Sequence, residues 1–412
     1  MMTGPFYDAL ETRPPDAREA ALMAALPGLV AHAKAHAPSF ARILADVEPG
    51  DVVDRAALAR LPVTRKGDLM TLQRTDLPFG GLAAVAPGAL ARIFASPGPI
   101  YDPEGRRADY WRMARALFAA GFRAGDIVHN CFSYHLTPAG SIMESGAQAL
   151  GCAVVPGGTG QTESQVRAIA DLKPSGYTGT PSFLAIILDK AAELGIALPS
   201  LAKALVSGEA FTGAQQAKFA SAGIAALQCY ATADLGLIAY ESPAREGLIL
   251  DEGVILEIVQ PGTGDPVGAG EVGEVVVTAL TPEYPLIRFG TGDLSAMLHG
   301  SSPCGSTNRR IKGWMGRADQ AAKVRGMFVQ PAQIAEIVKR HKEIIRARLV
   351  VDRDAQGDTM TLQVEMGEPA AEPARIAETL QAVTKLRGTV TRVAPGSLPH
   401  DGKVIDDVRK HE

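Results

Sequence analysis

The chain has 412 residues, 46% of them hydrophobic, with 41 Lys and Arg against 45 Asp and Glu and a formal net charge of −4. At about 150 residues per domain, that length predicts two or three domains, one of them large enough for a substantial core. The near-balanced charge excludes a dominant electrostatic grip on nucleic acid or anionic lipid, and no apolar run approaches the ~20 residues that cross a bilayer.

The N-terminus has early acidic residues and no apolar stretch behind a basic one, so it does not read as a secretory signal. Ala17 to Ala37 is rich in Ala and Leu at helical spacing, and Pro62, Pro78 and Pro87 break up the stretch after it. Residues 1–90 read as a helical cap to which no chemistry is assigned. From about residue 106 strands alternate with helices. A helix over 107–120 ends at Gly121, and Asp126 to Phe132 is a short strand. Residues 138–150 are helical, 153–156 a strand, and Thr162 opens a helix with Gln165 as its capping-box partner. Gly176 to Gly179 is extended, Thr180-Pro181 opens another helix, Ala204 to Ser207 is strand-like, 213–222 is helical and Ala225 to Tyr230 is a strand. This alternation predicts an α/β fold with a doubly wound parallel sheet.

From residue 247 the period shortens to two. Gly253 to Val259 and Glu274 to Ala279 read as antiparallel strands, forming a small sheet or distorted barrel. After Gly316 comes a compact α+β unit, with helices at 331–341 and 373–386 and strands at 345–352, 359–366 and 388–394. The division is a core over 1–317 (cap 1–90, α/β 91–245, β section 246–317) and a mobile lid over 318–412. Cys131, Cys152, Cys229 and Cys304 are widely spaced and form no C-x-x-C pair, which suits a reducing cytoplasm.

Several segments fall in one order: Pro285 to Leu294 (PLIRFGTGDL), Gly316 to Asp319 (GRAD), Lys323 to Gly326 (KVRG) and Leu398 to Lys403 (LPHDGK). Tyr7 to Glu11, Gly121 to Val128, Gly151 to Val155, Gly160 to Val166 and Lys173-Pro174 accompany them. Together they resemble the adenylate-forming superfamily of acyl-CoA synthetases, and within it the phenylacetate-CoA ligase family. The resemblance implies a two-step reaction. A carboxylate attacks the α-phosphate of ATP–Mg²⁺ to give an acyl-adenylate and pyrophosphate. The small domain then rotates, and the CoA thiol displaces AMP. A homodimer is a further implication.

The resemblance also assigns residues. Asp293, in a Gly-flanked turn with Arg288 five residues earlier, offers two acceptor oxygens to the ribose hydroxyls, or else serves its own turn. Arg317 reaches ribose or phosphate, or forms a surface salt bridge. Asp319 matches the hinge, and Gly326 lets the pantetheine arm of CoA pass close to the backbone. Gly208, Glu209 and Ala210, following Ser207, match the segment against adenine. Lys403 matches the lysine that meets the reacting carboxylate and α-phosphate; otherwise it is a solvated tail residue.

Three places depart from the family pattern. The phosphate loop, a run of Ser, Thr and Gly closing on Lys or Pro, reads Ala95-Ser96-Pro97-Gly98-Pro99-Ile100-Tyr101-Asp102-Pro103. Ser96 survives as a phosphate ligand, two prolines remove donors, and Asp102 adds a negative charge. In Tyr230-Ala231-Thr232-Ala233-Asp234, Asp234 stands for the Glu that holds Mg²⁺, and Tyr230 flanks the nucleotide. Ser302-Pro303-Cys304-Gly305 keeps one thiol of a zinc pattern, so no zinc is expected. Tyr134 reads as an acyl-pocket wall. His135 either orients the carboxylate or is a satisfied loop histidine. The leading reading is an ATP-, Mg²⁺- and CoA-dependent ligase of an aromatic acid. The alternatives are a non-catalytic nucleotide or acyl-CoA binder, and an adenylating enzyme that hands its acyl group to a carrier protein.

Overall fold

The computed structural model describes residues 4–96, 99–261, 263–318, 322–324, 327–329, 331–354, 357–367, 372–399 and 403–409. The spine of the larger part is a 12-stranded sheet. Five parallel strands stack in the order Ala153–Val155, Ile127–Asn130, Gly176–Gly179, Lys203–Val206 and Ala225–Thr232. Helices Ala139–Ala149, Thr162–Leu172, Pro181–Glu193 and Gly213–Ser221 lie between them in sequence. The inner strand Gly176–Gly179 is buried throughout, as a parallel strand covered on both faces must be.

Ala225–Thr232 turns back on itself and pairs antiparallel with Gly236–Glu241. From there the sheet runs on through Leu248–Leu250, Arg310–Ile311, Phe289–Leu298, Val272–Ala279 and Val254–Val259. The antiparallel section is therefore continuous with the parallel strands. The N-terminal helix Pro15–His36 covers it, packing Leu26 and Val30 into one core with Val275, Val277 and Phe289. A second sheet of four strands carries the C-terminal residues, in the order Thr389–Val393, Gly357–Met366, Ile344–Asp354 and Ile405–Asp407. It has its own core, which includes Ile337, Leu349, Leu362 and Ile376.

Two local expectations change. The helix expected over 107–120 begins only at Met113, because Asp109 and Arg112 take positive φ (49° and 62°) and the Asp109 carboxylate caps the Ala114 N–H at 3.2 Å. The capping box at Thr162 is not formed. Gln161 precedes that helix in the left-handed region, and Gln165 turns inward instead. Its Oε1 accepts from His129 Nε2 at 2.6 Å, and its Nε2 donates to the Gly157 carbonyl at 2.8 Å. His129 is fully buried, and pairing its Nε2 outweighs an exposed cap. A capping box does form at Thr212 and Gln215.

One buried side chain ties the cap to the β section. Arg288 is 2% exposed at φ +45°. Its Nε donates to Glu257 Oε2 at 3.0 Å, Nη1 to the Ala59 and Leu61 carbonyls at 2.6 Å each, and Nη2 to the Gly264 carbonyl at 2.7 Å. The Arg288 carbonyl accepts the Thr64 N–H at 3.1 Å, where Thr64–Arg65 joins Phe289–Gly290 as a parallel pair. Arg288 stood in the motif as company for the nucleotide aspartate; the structure makes it an internal brace. Arg288→Met leaves the buried Glu257 unpaired and should lower stability by about 3–5 kcal/mol, read as a lower urea midpoint. A midpoint within error of the unsubstituted protein would show that the brace carries no weight.

Candidate active site

The parallel strands end at one edge, and the segments after them surround a cavity of about 450 Å³. Ser207 and Gly208 follow Lys203–Val206, and Ala231 to Asp234 close Ala225–Thr232. Phe132, Thr137 to Ala139, Ile142 and Met143 come from the segment after Ile127–Asn130. A crevice outside the carboxyl ends of parallel strands is where open α/β sheets bind ligands. Three residues enter from outside the parallel layer: Lys66, Ser96 and Ile100. One end is apolar, lined by Phe132, Ile142 and Met143. The other is polar, at Lys66, Ser96 and Asp234.

Lys66 was not foreseen. It follows the two-residue strand Thr64–Arg65 and donates from Nζ to Asp234 Oδ2 at 2.6 Å. Burial alone would pull its pKa down, but Asp234, then Asp102 and Asp293, hold it above the ordinary lysine value. The ammonium therefore stays charged, paired with Asp234. Asp102 is fully buried on the strand Ile100–Glu104, in a hairpin with Arg92–Ser96. It accepts the Ser96 hydroxyl in a short hydrogen bond. Burial, and then the Asp234 charge, push the Asp102 carboxyl up to about 7. The degenerate loop thus folds as a hairpin whose acid points into the protein.

Asp293 is a hub. Its Oδ2 accepts the Tyr230 hydroxyl at 2.7 Å, and its Oδ1 accepts Trp314 Nε1 at 3.1 Å and Arg317 Nη1 at 3.2 Å. Burial, and then the Asp293 charge, hold the Tyr230 phenol well above its usual range, so it remains a donor. Gly292 has φ +75°, a backbone conformation for which the turn needs glycine. Trp314, 55% exposed, was also missed.

Gly208 lines the cavity at φ +87°. Ala210 is exposed, and the Glu209 carboxylate accepts the Ser182 N–H at 2.6 Å at the start of helix Pro181–Glu193. Tyr134 and His135 do not line the cavity, which corrects the acyl-pocket expectation. The Tyr134 hydroxyl accepts from Asn130 Nδ2 at 2.7 Å with its ring against Gly140, and His135 is exposed. Lys403 Nζ donates to Asp406 Oδ1 at 2.9 Å within the C-terminal sheet. Asp319 and Gly326 lie outside the described residues. Cys304 Sγ lies 3.1 Å from Ser302 Oγ. Among the described residues no helix is long and apolar enough to cross a membrane.

No protein-family model matches the chain. Curated relatives do. A phenylacetate-coenzyme A ligase of Aromatoleum evansii is 34% identical over 374 residues, covering 86% of this chain and 83% of the relative. One from Thermus thermophilus is 32% identical over 382 residues, covering 88% and 85%. The chain belongs to the phenylacetate-CoA ligase family. A solved 2-hydroxyisobutyryl-CoA ligase, crystallised with its acyl-adenylate and CoA, shares the fold, with a TM-score of 0.75, 23% identity and coverage of 100% of this chain and 94% of that one. Asp293→Asn removes a charged acceptor while keeping the turn. It should weaken AMP binding by roughly 10- to 100-fold, equivalent to about 1.5–3 kcal/mol, by titration calorimetry. Unchanged AMP affinity would remove Asp293 from the nucleotide site.

Proposed function

We propose that this chain is an ATP-dependent carboxylate–CoA ligase that works through an acyl-adenylate, with an aromatic, phenylacetate-like acid as substrate. One observation carries the reading: Asp293, clamped by Tyr230, Trp314 and Arg317, lies within the electrostatic reach of Lys66, which lines a cavity with an apolar end. A ribose acceptor, a phosphate cation and an apolar acid pocket are what an adenylating site must bring together. The named activity of the relatives, matched over most of both chains, supports the acid class and CoA as acceptor.

In this reading Asp293 accepts from the ribose hydroxyls, with Tyr230 fixing its orientation, and the Gly208 edge lies against adenine. Lys66 and Arg317 face the phosphates, and Phe132, Ile142 and Met143 hold the body of the acid away from water. A carboxylate oxygen attacks the α-phosphorus and pyrophosphate leaves. The CoA thiol then attacks the acyl carbon and AMP leaves. Lys403 rides on the C-terminal unit, released from Asp406, and meets the reacting carboxylate and α-phosphate in the first step; Asp319 is the hinge and Gly326 lines the thiol channel. Asp234 suits a magnesium ion, since its Oδ1 is buried with no partner; when bound, the ion neutralises phosphate charge.

Asp102, a buried acid at the closing end of the phosphate loop, favours a second reading in which nucleotide binds without turnover. Pyrophosphate exchange over a panel of arylacetic, aryl and short acyl acids separates the two. The ligase reading expects exchange with at least one arylacetic acid. It also expects Lys403→Ala to lower exchange by more than about 100-fold while thioester formation from supplied acyl-adenylate stays largely intact. No exchange with any acid would favour the binder. Equal loss of both half-reactions would remove Lys403 from its role.

A further inference from the structure

The Asp293 carboxylate is crowded before any nucleotide arrives. Its Oδ1 accepts two donors, Trp314 Nε1 at 3.1 Å and Arg317 Nη1 at 3.2 Å, and its Oδ2 accepts the Tyr230 hydroxyl at 2.7 Å. An ionised carboxylate offers about four lone-pair sites, shared equally between its oxygens. Oδ1 is therefore full, and Oδ2 has room for about one more donor. A ribose brings two neighbouring hydroxyls. One fits the opening on Oδ2. The other reaches Oδ1 only if a donor leaves it.

The two donors on Oδ1 are not held equally. The Arg317 bond is charge-assisted, and such bonds are roughly twice as strong as neutral ones. Arg317 Nη1 also donates to the Thr291 carbonyl at 3.4 Å. Trp314 gives a neutral N–H, and the residue is 55% exposed, so water can replace Asp293 as its partner at little cost. The backbone under the indole need not move. The Met315 N–H donates to the Leu294 carbonyl at 2.9 Å, and the Gly313 carbonyl accepts the Ser295 hydroxyl at 2.7 Å. Only the side chain between these two anchors has to turn.

We infer that Trp314 holds the place of one ribose hydroxyl on Asp293 and gives it up when the nucleotide binds. Trp314 is then a positioning residue. It keeps Asp293 Oδ1 hydrogen-bonded while the site is empty, and it lowers nucleotide affinity by the strength of the bond it surrenders. This rests on the proposed ribose role of Asp293 and extends it to an aromatic residue outside the motif.

The chain has two tryptophans, and Trp111 is 1% exposed, so acrylamide quenching reports on Trp314. The full chain is titrated with AMP, 2′-deoxy-AMP and 3′-deoxy-AMP, with affinities read by calorimetry. AMP should change the quenching of Trp314. One of the two deoxynucleotides lacks the hydroxyl that meets Oδ1; it should bind and leave the quenching as it was. Trp314→Phe should tighten AMP binding roughly threefold to tenfold, because one neutral hydrogen bond no longer has to break, and leave that deoxynucleotide within about twofold. If Trp314→Phe weakens AMP binding or leaves it unchanged, the indole holds no ribose position and the inference is overturned. AMP binding with unchanged quenching also overturns it, since Arg317 is then the donor that leaves, while the nucleotide reading survives. Equal changes with all three nucleotides overturn it as well. Should Trp314→Phe fail to fold, the quenching of the unsubstituted protein decides alone. If that protein binds no AMP, the nucleotide reading fails and takes the inference with it.

Discussion

The site depends on a single ammonium placed among acids. Lys66 donates to Asp234 at 2.6 Å and carries the nearby charges of Asp102 and Asp293. Without it, the buried Asp234 would face the cavity unpaired. Its position is not local to its own segment. Arg288 grips the carbonyls of Ala59 and Leu61, and its own carbonyl takes the Thr64 N–H. The strand that begins at Phe289 then pairs with Thr64–Arg65 and carries Asp293 four residues further on. One buried guanidinium thus helps set the spacing between Lys66 and Asp293.

The altered loop sits beside this arrangement. The hairpin Arg92–Ser96 and Ile100–Glu104 buries Asp102 and ties it to Ser96, while Ser96 and Ile100 line the cavity. The cationic side chain that lines the cavity, Lys66, comes from the cap. Tyr230 and Arg317 both bond Asp293, so that turn is held from two sides.

Much of this was legible in sequence, for physical reasons. Alternating strands and helices between residues 126 and 232 follow from local periodicity, and most observed elements lie within a few residues of the expected bounds. Asp293, Tyr230 and Arg317 could be placed together only through the family resemblance, since Tyr230 and Arg317 stand 63 and 24 positions from Asp293. The residues that were missed depend on contacts remote in sequence. Lys66 and Asp234 are 168 positions apart, and nothing in Thr64-Arg65-Lys66-Gly67 marks that lysine out. The available signal was indirect: a phosphate loop that loses donors and gains an acid needs a cation from elsewhere. Gln165 was misread because the buried His129 claims it over the exposed helix end. Tyr134 was assigned to the acyl pocket by its neighbourhood in sequence, yet Phe132, two residues away, is the aromatic that faces the cavity.

The claim that Lys66 supplies the phosphate cation is tested most directly by the affinities of Lys66→Met for ATP and for AMP, measured side by side by calorimetry. A lost charged contact to the terminal phosphates predicts ATP binding weaker by roughly 10- to 100-fold, with AMP affinity within about twofold of the unsubstituted protein. Unchanged ATP affinity, or equal loss for both nucleotides, would contradict the account.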